Sequence, residues 1–589
     1  MGESFEVTGA LVPCDGWCAP RDVLIRDGVV AAVAAPDGAP LPPPLPGETR
    51  TKIACEHETR LLMPGLHNAH THSSNYFIKG GMDSLPLELM VSCSAMLPLE
   101  HPWKQLGIGY GKRTALGAVV DHDAIEQNRY RLGALATGLH SLMSGATSLV
   151  DMIGLPDGDD DRIMRCLAAA AEGYKQSGVR VFLGPQFDDS KDEERFHDCD
   201  TENSVKLAGK TANFLAPTTG ERRDKATAAM RASGLRGLGE DGSLRTERWP
   251  SDPEKTSRAI RIWRRAIKEL HRPDEGVHII LSPHNERTCS EEMFRECAAI
   301  MREYDDVHAT VHLLEGMHQP LGGGPRGDDP DGVSWSVRVL DDCGFLTPRT
   351  TLAHAVHLTK GDMNVLAERG CLVSHNPISN LRLGAGIANI LAMKAAGVKV
   401  GIGVDGAGSG VECQDVLAAA KLACLLPNVK TPEYRNWLKP RDVLLEMGCR
   451  CGRESVGLCA SSTSAKMTHT ATADIDKEDE DDALISVGRV ADLVLYDLTS
   501  LSLLPRADPF TSILLSGARP GGAAAGSQID VVWVNGKQVV VGGDSTTVDV
   551  IKVRSEILEA GPPCYPPTAP PSVGPFEIEY RAGLGLPLP

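Results

Sequence analysis

Basic residues are in short supply in this chain: 60 lysines and arginines stand against 78 aspartates and glutamates, a formal net charge of −18. Nucleic acids and acidic membrane surfaces are gripped by clustered Lys and Arg, so no nucleic acid and no membrane is expected as a partner, and a small molecule is. Also missing is any apolar run approaching roughly 20 residues, the length a membrane-spanning helix requires. The opening MGESFEVTGALVPCDGWC has no basic start followed by an apolar core, which predicts no secretory signal, and Glu6 stands where myristoylation wants Ser or Thr. Sixteen cysteines are scattered rather than framed at disulfide spacings, as suits a reducing compartment, so a cytoplasmic location is expected.

What is present is the material of a globular body, 42% apolar and 23% charged, with no limit on core size at 589 residues. Between Phe5 and Thr59 short β-like runs such as VLIRDGVVAAV are broken by the turn-rich PDGAPLPPPLPG. From Leu61 onward eight apolar, often β-branched runs recur: LLMPGLHNAHTH, ATSLVDM, VRVFLGPQF, VHIILSPH, ATVHLLE, TTLAHAVHL, CLVSHNP and VKVGIGVDG. Segments between them, such as DAIEQNRYRLGALATGLHSLMSG and EEMFRECAAIMREY, carry apolar residues at the three- and four-residue spacings of amphipathic helices. Eight alternations predict a (β/α)8 TIM barrel over residues 61–458, whose reaction face lies at the C-terminal ends of its strands. Most of the runs finish in or just past His, Glu or Asp.

After Leu458 the pattern stops in ASSTSAKMTHTATADIDKEDEDD, an acidic low-complexity insertion over 459–483 expected to stay solvated. Strand-like sequence returns over 484–555 in RVADLVLYDL and in IDVVWVNGKQVVV with its Asn-Gly turn. Together with residues 1–60 it is expected to form one small discontinuous β-sandwich domain from both chain ends, followed by a Pro-rich tail over 556–589. A charged insertion near 188–255 is placed at the barrel mouth.

Alternate residues of a strand share a face, so His70 and His72 point the same way at a reach suited to one metal ion. His312, near the end of the fifth run, and Asp405, at the end of the eighth, sit where their strands should emerge on the same rim. Each feature alone has a bland explanation: a His-X-His is more often structural than ligating, and an Asp before Gly is more often a turn. Their conjunction on one predicted rim favours a catalytic divalent ion. Its charge lowers the pKa of a bound water from about 15.7 toward about 7.

PGLHNAHTH, VHLLE, LAHAVHL, SHNPISNLRLGAG and VGIGVDGAGS together resemble the signature segments of the amidohydrolase superfamily, in the branch of S-adenosylhomocysteine/methylthioadenosine deaminases, guanine deaminase and triazine hydrolases. The resemblance implies one Zn2+, with Fe2+ as the other metal, on His70, His72, His312 and Asp405. It also implies that Glu315 shuttles protons, that His354 helps hold the hydroxide, that His284 faces a heterocyclic substrate, and that the chain forms a homodimer. Hydrolytic deamination fits these groups, since hydroxide must attack an electron-poor ring carbon and the departing amine must gain a proton. Glu315 lies three positions past His312 and would face the wrong way on a regular strand, so it must lie in the loop beyond the strand end. His357 is read as structural. His375 belongs either to the rim or to a loop-fixing bond with Asn376, while Asn380 and Arg382 hold neighbouring loops.

Four rivals compete with this reading. The zinc deaminase design H-x-E with P-C-x-x-C finds only its first half, in His284-Asn285-Glu286. GGGPRG at Gly322 lacks the Lys and Ser/Thr of a phosphate loop. Displacement of chloride or alkylamine from a triazine-like ring uses the same metal but needs the proton carried by Glu315 less, and a non-catalytic binding protein on this fold would be expected to have lost ligands.

Overall fold

The computed structural model describes residues 3–14, 17–56, 58–79, 122–156, 158–189, 251–286, 288–316, 332–409, 411, 413–458, 484–516 and 528–560. The bulk of the 188–255 insertion, most of the segment after the histidine pair, the GGGPRG loop, the acidic stretch 459–483 and the Pro-rich ending lie outside the described residues.

The first strands are β1 (Glu3–Cys14), β2 (Trp17–Arg26), β3 (Val29–Ala34), β4 (Thr49–Ala54) and β5 (Arg60–Pro64). The run beginning at Leu61, expected as one strand, is two: β5 ends at Pro64 and β6 spans Leu66–Thr71 in a different sheet. Gly65 is the joint, and a Cβ there would fall 2.1 Å from Thr147 Oγ1, so only glycine lets the chain pass that close.

The remaining seven runs supply β7 (Ala146–Ile153), β8 (Arg180–Phe187), β9 (Val277–Ile279) with β10 (Ser282–Pro283), β11 (Ala309–Leu313), β12 (Thr350–His354), β13 (Leu372–His375) and β14 (Lys399–Ile402). They form two parallel sheets, one through β6, β7, β8 and the β9/β10 pair, the other in the order β11-β12-β13-β14. Thr310 donates its N–H to the Leu281 carbonyl at 2.9 Å across one seam, and Val404 and Asp405 donate theirs to the His70 carbonyl at 3.2 and 2.8 Å across the other. Helices separate the strands: α1 (His122–Met143), α2 (Asp160–Ser177), α3 (Pro253–Leu270), α4 (Glu291–Glu303), α5 (Trp335–Asp342), α6 (Lys360–Arg369), α7 (Pro377–Arg382), α8 (Ile390–Ala395) and α9 (Val416–Leu425). Their limits follow sequence chemistry. Asp159 caps α2 by accepting from Arg162 N, and Gly178 ends it at φ 84°; Thr359 and Asp362 form a reciprocal capping box on α6.

Both chain ends meet in one nine-stranded sheet. β15 (Leu493–Asp497), β16 (Ile529–Val534), β17 (Lys537–Val541) and β18 (Asp544–Ser545) run on from β5, and β1, β2 and β3 follow on its other edge, with β4 beside β1. Asn535 and Gly536, both at positive φ, make the β16–β17 turn, as a two-residue hairpin requires. Phe5 and Trp533, both fully buried, meet edge to face at 5.9 Å beneath this sheet. A helix over Val550–Ala560 covers the start of the stretch expected as tail.

Candidate active site

The C-terminal ends of β6, β11, β12 and β14 converge. His70 and His72 leave β6 on one face, separated by Thr71. His72 Nδ1–H donates to the Met152 carbonyl at 2.6 Å, and His312 Nδ1–H donates to the His284 carbonyl at 2.7 Å. A carbonyl can only accept, so both protons are fixed on Nδ1 and both Nε2 atoms are left with lone pairs. Those two Nε2 atoms nevertheless stand 3.3 Å apart. Two acceptors that close repel unless an electrophile lies between them, and two imidazoles each about 2.0–2.1 Å from one zinc have such a spacing.

His70 carries the same implication by a different route. It is fully buried, and neither ring nitrogen has a hydrogen-bond partner among the described residues. Burial, reinforced by the neighbouring imidazoles, pushes both His70 and His312 well below the usual histidine range, which keeps them neutral as ligation demands. The carboxylate of Asp405 completes the ring: Oδ1 lies 3.5 Å from His72 Nε2 and 3.8 Å from His70 Nε2, and Oδ2 lies 3.7 Å from His354 Nε2. Donor atoms of His70, His72 and Asp405, of His70, His312 and His354, and of Glu315, His354 and Asp405 each lie within 4.8 Å of one another, as a shared metal ion needs. The residues present therefore fit a divalent cation.

Glu315 lies beyond the end of β11, as its spacing from His312 demanded. Leu314 turns the chain at φ 45° and delivers Glu315 Oε1 to 3.5 Å from His354 Nδ1. His354 Nδ1–H also donates to Asn380 Oδ1 at 2.9 Å, so Asn380 reaches the site itself rather than only a neighbouring loop. Burial lowers the His354 pKa, and the Asp405 carboxylate opposes the shift. His284 is half-buried, its ring edge-on to that of His312 at 5.3 Å. His357 Nε2–H donates to the Ala385 carbonyl at 2.9 Å. His375 is buried with both ring nitrogens unpartnered among the described residues, and burial lowers its pKa to about 3; Asn376 instead accepts from Ser374 Oγ.

Several contributors have no mark in the sequence. His354 at φ 71° and Asp405 at φ 77° occupy left-handed backbone that non-glycine residues rarely hold, a strain typical of functional sites. Asp151, at the end of β7, accepts from Ser73 N at 3.0 Å, from Ser73 Oγ and from Tyr174 OH at 2.8 Å, pinning the turn that follows His72. Its place at the polar end of the second run was the one available hint.

An α/β protein of parallel strands, with His and Asp donors gathered at the strand ends closely enough to share a metal ion, is what this geometry defines. The Amidohydrolase family model matches residues 61–460, and the chain belongs to that family. It is 26% identical over 560 residues to a 5'-deoxyadenosine deaminase of Methanothermobacter thermautotrophicus, covering 95% of this chain and 98% of that protein. A 5-methylthioadenosine/S-adenosylhomocysteine deaminase of Archaeoglobus fulgidus is 28% identical over 397 residues, 66% of this chain and 70% of its own length. Among solved structures, atrazine chlorohydrolase from Arthrobacter aurescens complexed with zinc superposes with a TM-score of 0.65 at 19% identity, covering 95% of this chain and all of that one. An adenosine deaminase from Xanthomonas campestris with bound zinc gives 0.61 at 19%, covering 95% and 97%. At such identity these structural likenesses are of fold. No helix among the described residues is long and apolar enough to cross a membrane.

Proposed function

We propose that this protein is a metal-dependent hydrolytic deaminase that releases ammonia from an adenosine derivative. Two near full-length or long relatives that carry deaminase names support the substrate class. The observation that carries the chemistry is the joint approach of two lone-pair nitrogens, His72 Nε2 and His312 Nε2, with the Asp405 carboxylate beside them. In this reading the eight parallel strands are one closed (β/α)8 barrel and the sheet of both chain ends is a small β-sandwich domain.

His70, His72, His312 and Asp405 would hold the ion, with zinc as the first candidate. When bound, it supplies Lewis acidity and a water acidified toward neutrality. The chain's own groups do the rest. Asp405 Oδ2 faces His354 Nε2, so the pair can take a proton from the attacking water and keep it out of bulk solvent. Glu315, three residues beyond His312 and beside His354, carries a proton to the ring nitrogen on which charge develops. In this reading His284, whose ring meets that of His312 edge to face at 5.3 Å, contacts the substrate. A leaving amine needs proton delivery more than chloride does, which favours deamination over displacement on a triazine-like ring.

Incubation of zinc-loaded protein with 5'-deoxyadenosine, methylthioadenosine, S-adenosylhomocysteine, adenosine, guanine, pterins and aminotriazines, followed by ammonia assay, tests the reading. Release from the adenosine derivatives is expected. Turnover confined to guanine, pterins or triazines would remove it.

A further inference from the structure

Asp405 is held from behind by groups with no part in the chemistry proposed above. Its carbonyl oxygen accepts from Gln414 Nε2 and, at 3.2 Å, from Thr71 Oγ1. Gln414 Oε1 in turn accepts from Asn68 Nδ2 at 2.9 Å, and Asn68 Oδ1 accepts from Val404 N at 3.0 Å. Asn68, Thr71, Gln414 and Asp405 are all buried. The orientation of both amides follows from elementary donor and acceptor logic. A backbone N–H can only donate, so Asn68 must turn Oδ1 toward Val404 and Nδ2 toward Gln414. Gln414 must then answer with Oε1, which leaves Nε2 aimed at the Asp405 carbonyl, a group that can only accept. The chain runs without conflict from β6 to the segment after β14.

The anchor is itself tied down. Ser144 Oγ accepts from Val416 N at 3.2 Å and shares its one proton between the Ser141 carbonyl at 2.9 Å and the Gln414 carbonyl at 3.2 Å, tying the segment to the end of α1, and Asp415 caps α9 by accepting from Ala418 N at 2.9 Å. Asp405 meanwhile sits at φ 77°, a conformation an unsupported aspartate would leave. Relaxation would rotate its carboxylate away from His70, His72 and His354.

We infer that Gln414, oriented by Asn68, is a positioning residue that locks Asp405 in its left-handed conformation and thereby sets both metal affinity and the reactivity of the carboxylate. The inference rests on the reading of Asp405 as metal ligand and proton acceptor. Outer contacts of this kind commonly change metal affinity or turnover by about 10–100-fold.

The test uses full-length protein. Gln414→Met keeps length and removes the amide. Asn68→Asp keeps the acceptor for Val404 but faces a carboxylate toward Gln414, so that the Gln414 amide flips and Nε2 leaves Asp405. Zinc affinity by chelator competition, kcat, KM and apo-protein melting are measured for each. Expected are a zinc Kd raised about 10–100-fold and a kcat lowered by a similar factor at nearly unchanged KM, in protein that melts within a few degrees of wild type. The shortfall of Gln414→Glu in zinc affinity, taken as a ratio to wild type at the same pH, should narrow as pH falls, because only its protonated carboxyl can donate to the Asp405 carbonyl; a purely structural role would leave that ratio constant. If Gln414→Met fails to fold, Asn68→Asp decides. Zinc affinity and kcat within two-fold of wild type in a folded variant overturn the inference and leave the proposed function standing. Failure of the wild-type protein to deaminate any substrate removes the function, while the zinc measurements still judge the clamp.

Discussion

Glu315 is the side chain on which the distinction between binding and turnover rests most directly. It is buried, sits past the strand end and approaches His354. Glu315→Gln is therefore expected to lower kcat about 10²–10³-fold while zinc affinity stays near that of wild type, since the proposed general acid would be lost and the proposed His/Asp ligands left untouched. Steady-state kinetics beside chelator competition separates the two quantities; a parallel fall in zinc affinity would make Glu315 a ligand. Stripping the metal with a strong chelator should abolish activity, and adding zinc back should restore it, whereas activity that survives prolonged chelation would dissociate the reaction from this cluster. The gathering of His70, His72, His312 and Asp405 was legible because ligand chemistry demands particular residue types at strand ends. Gln414 and Asn68 were not, because an amide that only orients another group has no distinctive residue type or spacing.

At the scale of elements the eight apolar runs were legible, since buried parallel strands read as continuous apolar stretches. Two boundaries were not. VHIILSPH breaks into β9 and β10, and the first run breaks at Gly65, where a backbone approach to Thr147, a long-range fact, decides the division. The same closeness recurs at Gly403 just after β14, where a Cβ would fall 2.0 Å from Asn376 Oδ1 and 2.3 Å from Ser374 Oγ. These two atoms are already hydrogen-bonded at 2.8 Å in a buried layer that cannot yield cheaply. Gly403→Ala is expected to destabilise by about 1–3 kcal/mol, lowering the melting temperature by a few degrees and weakening zinc binding, because Asp405 lies two residues on. Unchanged thermal melting would show that the β13 and β14 ends have slack.

Across the whole molecule the opposite end of the parallel strands holds a second gathering of histidines. His278 stacks on Phe182 at 4.5 Å, and His67 and His308 meet the same ring edge-on at 6.2 and 6.1 Å. Burial lowers their pKa values to about 3 for His67, about 3 for His278 and about 4 for His308, aided by neighbours that include Arg453, Arg180 and Arg349. An unfolded histidine titrates near about 6.5, so between that pH and roughly 4 the unfolded chain binds protons the folded one refuses. Stability then rises with pH across this window and falls as pH drops through it, by up to about 1.4 kcal/mol per proton per pH unit. Denaturant midpoints measured from pH 7.5 to 5.0 should decline, and His278→Phe should make the decline shallower; a flat profile would show that these rings are hydrated. Close by, Arg180 meets the buried Asp492 at 3.2 Å, joining β8 to the segment just before β15. β6, which carries His70 and leads into His72, continues directly from β5, whose neighbours are β1 and, from later in the chain, β15. During synthesis on the ribosome, that edge of β5 therefore waits, unpaired, until β15 has emerged, and a message truncated before Leu493 would deliver every proposed zinc donor yet no finished support for β6.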